Sequence, residues 1–162
     1  MLTLLLLVRC ASADWAVVTG ASSGIGEQLA LQAAQRGYDV VLHGRRRRAL
    51  HRLKKAIEAQ TNRRTKMVIE DLSRRSGAKR LHAACDGLDV RLLFANAGVA
   101  RVKPFIEDDV EAMLALNVHA NTDLCRRFGR DMARRGGGRV AHVFIGGCAC
   151  PWMCGSRRLR RV

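Results

Sequence analysis

A glycine loop between a short apolar run and a longer segment of helical period constrains this chain more than any other feature. Residues 15–19, Trp-Ala-Val-Val-Thr, read as a buried strand. Residues 25–36 place Ile25, Leu29, Ala30 and Ala33 on one helical stripe that Gly37 ends. Between them stands Thr19-Gly20-Ala21-Ser22-Ser23-Gly24-Ile25-Gly26. In a strand–loop–helix unit this spacing puts Gly20 at the tight turn, Gly24 where backbone must approach a pyrophosphate, and Gly26 where helix meets strand. The helix start then offers unpaired N–H groups and partial positive charge to phosphate.

The alternation continues. Residues 39–43, 66–70, 89–94 and 139–145 read as strands, and 49–59, 74–85 and 107–135 as helical stretches, the last broken by Gly136-Gly137-Gly138. Short continuous apolar strands separated by helices imply an α/β fold, a doubly wound parallel sheet of Rossmann type with about five strands. At 162 residues the chain suits one domain. The reading divides it into an apolar extension (1–13), a dinucleotide-binding domain (14–147) and an irregular Cys/Arg-rich tail (148–162).

The formal charge of +15 invites a polyanion, but the basic residues are mostly arginine, in scattered pairs such as Arg63-Arg64, Arg74-Arg75, Arg126-Arg127 and Arg134-Arg135. Few aromatics accompany them, whereas single-strand binders stack bases on aromatic platforms, so nucleic acid is disfavoured as partner. Cys10, Cys85 and Cys125 are isolated and read as small buried apolar residues. Cys148, Cys150 and Cys154 lack a second ligand pair at zinc spacing, so no metal is expected. Residues 2–8 are apolar, and Ala11-Ser12-Ala13 resembles a signal-peptidase site, yet no basic n-region precedes them. The expectation is a cytoplasmic protein, with association to the endoplasmic-reticulum membrane as the alternative.

The motif Thr-Gly-x-x-x-Gly-x-Gly resembles the signature of the short-chain dehydrogenase/reductase family, and four further segments match in order. Asp71-Leu72 follows the third strand, Asn96-Ala97-Gly98 follows the fourth, Asn117 stands in Leu-Asn-Val, and Gly138-Arg139-Val140 opens the fifth strand. The resemblance spans residues 15–143 and implies a cofactor site of Gly20, Ser22, Ser23, Gly24, Ile25, Gly26, Asp71, Leu72, Asn96, Ala97 and Gly98, with Asn117 as the asparagine of the catalytic tetrad. Cofactor choice follows from charge. NAD binders end the second strand with a carboxylate for the ribose 2′-OH, but here it runs into His43-Gly44-Arg45-Arg46. Arg45 and Arg46 therefore point to NADP(H), with Arg45 on the 2′-phosphate, while Arg47 and Arg48 read as a solvated helix start.

The resemblance implies hydride exchange between nicotinamide and a small carbonyl or alcohol, with Tyr-x-x-x-Lys as proton donor and a serine on the substrate oxygen. The only tyrosine is Tyr38, between the first helix and second strand, with Leu42 four residues on. The strand that should end in serine reads Val143-Phe144-Ile145-Gly146-Gly147, and Ser156 is a lone hydroxyl in the tail. The expectation is an oxidoreductase by descent whose catalytic set is incomplete and which stops after the fifth strand. Phe144-Ile145 in C-ending codons contains Ser-Ser one base on, which suggests a shifted frame after about Val143. The alternative is a non-catalytic dinucleotide-binding or subunit-interaction module. The helix bearing Asn117, with Leu124 and Phe128 near one stripe, is the expected homo- or hetero-oligomer contact.

Overall fold

Five parallel strands form one sheet in the order β3-β2-β1-β4-β5. The computed structural model describes residues 14–100 and 109–143. Strands β1 (Trp15–Val18), β2 (Asp39–Gly44), β3 (Thr65–Ile69), β4 (Val90–Ala95) and β5 (Arg139–His142) alternate with α1 (Gly24–Gln35), α2 (Arg47–Thr61) and α3 (Gly77–Ala83). Between β4 and β5 run α4 (Val110–Leu114), a π-helical turn over Ala115–Ala120, and α5 (Asn121–Arg134). Side chains alternate across the central strands. Ala16, Val18, Val40 and Leu42 pack under α1 and α2 with Leu50, Leu53 and Ile57. Val17, Val41, Leu93 and Ala95 pack on the other face under α3 and α5, with Leu81, Leu124 and Phe128. Both faces of the centre are covered, which is why β1 and β2 are buried along their whole length.

The strand order reverses between β1 and β4, and a doubly wound sheet opens its crevice at the C-terminal strand ends there. The opposite end is tied by charge. Asp39, 2% exposed, accepts from the Arg64 amide at 2.9 Å and from its Nε at 2.6 Å. The Arg64 guanidinium in turn lies 5.3 Å from the Trp15 ring centroid. Other arginines bind loop carbonyls there: Arg63 donates to Gly37 O at 3.0 Å, Arg135 to Leu88 O at 2.9 Å, and Arg91 to Arg135 O and Gly137 O at 2.9 Å. Pairs that look merely scattered in sequence therefore stitch helix ends to strand starts.

Three expectations need correction. The third helix starts at Gly77, not near Arg74, because Asp71 caps its own loop: Ser73 N and Oγ donate to Asp71 Oδ1, and Arg74 N to Asp71 O. The helical stretch after residue 109 is interrupted by the π turn, which accommodates Asn117. Leu124 and Phe128 are core residues, 0% and 2% exposed, because the α5 stripe faces the sheet. The exposed apolar residues of that region are Leu114 (38%) and Val118 (45%), four apart. β5 pairs with β4, and among the described residues no strand lies beyond it. Val140 on that edge is 42% exposed.

Candidate functional site

The β1–α1 loop is held from behind by one hydroxyl. Thr19, fully buried, donates through Oγ1 to Phe94 O (3.2 Å) and accepts from the Asn96 and Ala97 amides (2.9 Å each). The Asn96 side chain returns a bond from Nδ2 to Thr19 O at 2.9 Å. These contacts lock the glycine loop onto the end of β4. Gly20 adopts φ +70°, where a Cβ would stand 3.0 Å from Asn96 Nδ2 and 3.1 Å from Ala97 Cα, and a Cβ on Gly26 would stand 2.4 Å from Gly20 O. The loop closes only with hydrogen at these two positions.

In front of the loop lies a cleft of about 240 Å³ walled by the C-terminal ends of four strands. Gly20, Ser22 and Ser23 form one wall; Asp71 and Leu72 from the end of β3, with Ala97 and Gly98 from β4, form the other. Arg45 and Arg46 stand at the mouth where β2 ends. Arg46 already reaches across it, donating from Nη2 to Ser22 O at 2.9 Å and from Nε to Ser22 Oγ at 3.3 Å. The α1 N-terminus has no side-chain cap from Ser23, so its first-turn amides are left for another acceptor.

Asp71 is anionic, its carboxyl held below the usual range by the Ser73 hydroxyl. Glu70 is held at about 2 by a fork from Arg80, with Nε on Oε2 at 2.5 Å and Nη2 on Oε1 at 2.8 Å. Five further residues line the cleft without being marked as cofactor contacts in the sequence: His43, Gly44, Glu70, Val99 and Leu116. For His43, Gly44 and Glu70 the signal is position alone, at the C-terminal end of a parallel strand. His43 is 3% exposed, with Nε2 3.1 Å from Glu70 O and Nδ1 buried without a partner. Burial pushes its imidazole down to about 4, so it is neutral near pH 7.

The other end of the cleft is organised by two asparagines. Asn117 accepts from Val99 N (2.9 Å) through Oδ1 and donates through Nδ2 to Val99 O (2.8 Å), a two-way bond to the segment after β4. Asn121, 3% exposed, donates to Ala97 O (2.9 Å) and to Asn117 O (3.2 Å). The wide π turn is the local solution that faces both amides toward this segment. Gly98 packs closely here, since a Cβ on it would stand 3.3 Å from Asn117 Oδ1.

Most of the expected cofactor residues thus surround one cleft, but not all touch it. Asn96 sits behind the wall, 7% exposed, as a brace, and Gly26 is buried against Gly20. Gly24, at φ +58°, and Ile25, 51% exposed, lie on the opening turn of α1 outside the cleft lining. Tyr38 packs half-buried against the α1–α2 side of the core at the start of β2, the end opposite the cleft. The expected serine position (144–147), Ser156, Cys10, the tail cysteines and the apolar run 2–8 lie outside the described residues. Cys85 is buried, its thiol pushed up to about 12, and Cys125 is half-buried. Among the described residues no helix is long and apolar enough to cross a membrane.

Comparison with known proteins agrees with this geometry. The family model described as short chain dehydrogenase matches residues 14–155. The 7beta-hydroxysteroid dehydrogenase of Clostridium sardiniense is 41% identical over 80 residues, 49% of this chain and 31% of that protein. A very-long-chain 3-oxoacyl-CoA reductase of Candida glabrata is 34% identical over 117 residues, 70% of this chain and 33% of that protein. A short-chain dehydrogenase from Sphingobium yanoikuyae, solved in complex with NADPH, superposes with a TM-score of 0.75 at 26% identity, covering 80% of this chain and 52% of that one. The chain therefore spans about a third of those two relatives and about half of that structure. With the match running over most of its length and the glycine loop, strand order and π-turn asparagine all in place, the chain belongs to the short-chain dehydrogenase family.

Proposed function

We propose that the cleft binds NADP(H), and that the chain is an oxidoreductase by descent whose own residues do not complete the proton-transfer set. The carrying observation is the mouth of the cleft: β2 ends in two exposed arginines, with Arg46 laid on the glycine loop, and neither Arg45 nor Arg46 forms a direct ion pair among the described residues, although the Asp71 carboxylate feels the Arg45 charge. A ribose 2′-hydroxyl asks for a carboxylate there, and a 2′-phosphate asks for a guanidinium fork. The α1 amides would meet the pyrophosphate, Asp71 and Leu72 the adenine, and Gly98 and Val99 the ribose-nicotinamide side. The bound cofactor would supply hydride; the protein's part is to orient it and to move one proton. Toward the proton-transfer set the chain offers Asn117, whose side chain is bonded to the Val99 backbone, and the one tyrosine of the sequence lies at the far end of β2.

The named relatives act on a hydroxysteroid and on a very-long-chain 3-oxoacyl-CoA. By that analogy the carbonyl or alcohol substrate is a bulky apolar one. Exposed Leu114 and Val118 support an oligomer contact on the helical segment bearing Asn117. Titration with NADPH and NADH by nucleotide fluorescence, followed by carbonyl-dependent NADPH oxidation, tests the reading. Tight NADPH binding without turnover is expected. Equal affinity for NADH, or equal losses for both nucleotides in Arg45→Glu, refutes the 2′-phosphate assignment, and turnover refutes the incomplete proton-transfer set.

A further inference from the structure

The first half of α2 is charged against its own electrostatics. Its N-terminus carries the positive end of the helix dipole, where acidic residues belong. Instead α2 has no acidic residue in its first turn and no side-chain cap, and Arg46, Arg47 and Arg48 crowd that end. Arg47, Arg48, His51, Arg52 and Lys55 are all exposed. Among the described residues none of these five makes a side-chain hydrogen bond or ion pair, whereas Arg64, Arg80, Arg91, Arg126, Arg127 and Arg134 each have a carboxylate. The one carboxylate on α2, Glu58, is engaged by Lys54 and Thr65. The cationic residues are therefore uncompensated, and they sit together.

They also frame a surface of distinct shape. Arg47, Arg48, His51 and Arg52 line a cavity of about 430 Å³ with Met67 of β3, apart from the residues that line the dinucleotide cleft. Strand β3 is the edge of the sheet, and it adds Ile69, on the same face as Met67 and 36% exposed. Cationic side chains over a half-exposed methionine and isoleucine, with no Phe, Tyr or Trp in that lining and His51 its one ring, make a poor base-stacking groove. They make a face suited to an anionic interface with an apolar interior: long arginine stems lie along apolar surface while their heads meet phosphate. The apolar run 2–8 gives the same chain a second element with affinity for acyl chains.

We propose that the outer face of α2 and the β3 edge form a docking surface for acidic phospholipid membranes, with Arg47, Arg48 and Arg52 as the headgroup contacts. The inference is independent of turnover and of the 2′-phosphate assignment, since it leaves Arg45 and Arg46 to the cleft.

The test is co-sedimentation of the full chain with sucrose-loaded vesicles, one set pure phosphatidylcholine and one containing about a third phosphatidylserine. Binding to the acidic vesicles only, abolished in high salt, is expected. The triple variant Arg47→Glu, Arg48→Glu, Arg52→Glu should lower partition to acidic vesicles by at least about tenfold, because each arginine near the surface adds its own attraction to the anionic leaflet. That variant places carboxylates at a helix N-terminus, so its melting temperature should not fall and its NADPH titration should be unchanged. A control with the same charge change, Arg36→Glu, Arg130→Glu, Arg139→Glu, should retain most of the binding. Equal loss in the control, equal binding to neutral vesicles, or binding to RNA with none to acidic vesicles overturns the proposal.

Discussion

Replacing Thr19 with valine exchanges one hydroxyl for a methyl group of nearly the same volume, yet it should be among the most damaging single changes in the glycine loop. The hydroxyl is completely buried and makes three bonds: one given to Phe94 O, two accepted from the Asn96 and Ala97 amides. Phe94 O keeps a partner in valine, because it also accepts from the Thr19 amide at 3.0 Å. The Asn96 amide has a second contact, also to Phe94 O at 3.0 Å, whereas the Ala97 amide is left with none. A stranded buried amide costs about 1–3 kcal/mol, and a broken neutral hydrogen bond about 1 kcal/mol. The combined cost of Thr19→Val is about 2–4 kcal/mol. Thr19→Ser keeps the hydroxyl and loses one buried methyl, about 1 kcal/mol. Urea unfolding of the two variants beside the parent chain measures the difference. Serine costing as much as valine, or valine costing under about 1 kcal/mol, would show that packing rather than the hydroxyl holds the loop.

Other perturbations follow from the same geometry. Gly26→Ala puts a Cβ 2.4 Å from Gly20 O, both on backbone, so the loop must move; NADPH fluorescence should report loss of binding, and retention of parent affinity counts against the cradle. Gly77→Ala meets Asp71 O at 2.3 Å and should lower the melting temperature by several degrees, although no motif marks this glycine. Acid should act in two windows. His43 has its pKa lowered to about 4 from 6.5 in the folded chain, so the unfolded chain binds more protons between those values, and its contribution is lost as pH falls from 6.5 toward 4. Glu70, held at about 2, contributes stability above about 4.5 that is lost as pH falls toward 2. Melting temperatures at pH 7, 5.5 and 4 should fall less steeply for His43→Gln than for the parent; parallel curves would remove His43 from the account. Asp39→Ala strands the Arg64 amide and frees an exposed guanidinium, a loss of about 1–3 kcal/mol readable by urea unfolding.

The strand and helix pattern was legible because it rests on local chemistry. The three central strands β1, β2 and β4 are short β-branched or leucine-rich runs followed by Thr-Gly, arginine and asparagine, and periodicity reports that directly. The backbone of the cleft was legible for the same reason: a glycine loop between strand and helix has few folds open to it. What escaped was whatever depends on a residue's partner across the sheet. His43 is a cleft residue because Glu70 lies on the neighbouring strand, paired with β2 in a register the sequence does not print. Leu124 and Phe128 form a helical stripe in sequence whether they face a subunit or a sheet, and only the packing of α5 on β4 decides it. Asn96 matches a cofactor motif, but its amide turns backward to Thr19, so the motif marks a brace for the wall and not the wall itself.

The two ends of the cleft differ in kind, and that difference makes binding and turnover separable. One end is built from four strand ends, a helix N-terminus with uncapped amides and two arginines, of which Arg46 is bonded to Ser22. The opposite end holds Asn117, whose Oδ1 and Nδ2 are both engaged by Val99, and Asn121, whose Nδ2 donates to Ala97 O and Asn117 O while its Oδ1 is buried without a partner. An amide whose donor and acceptor are both engaged can shape a pocket but cannot exchange a proton with a substrate oxygen. Asn117→Ala should therefore loosen Gly98 and Val99 and weaken nucleotide binding, about tenfold if one backbone pair is broken. A variant that binds NADPH as the parent does would mean that these bonds do not set the shape of the cleft wall.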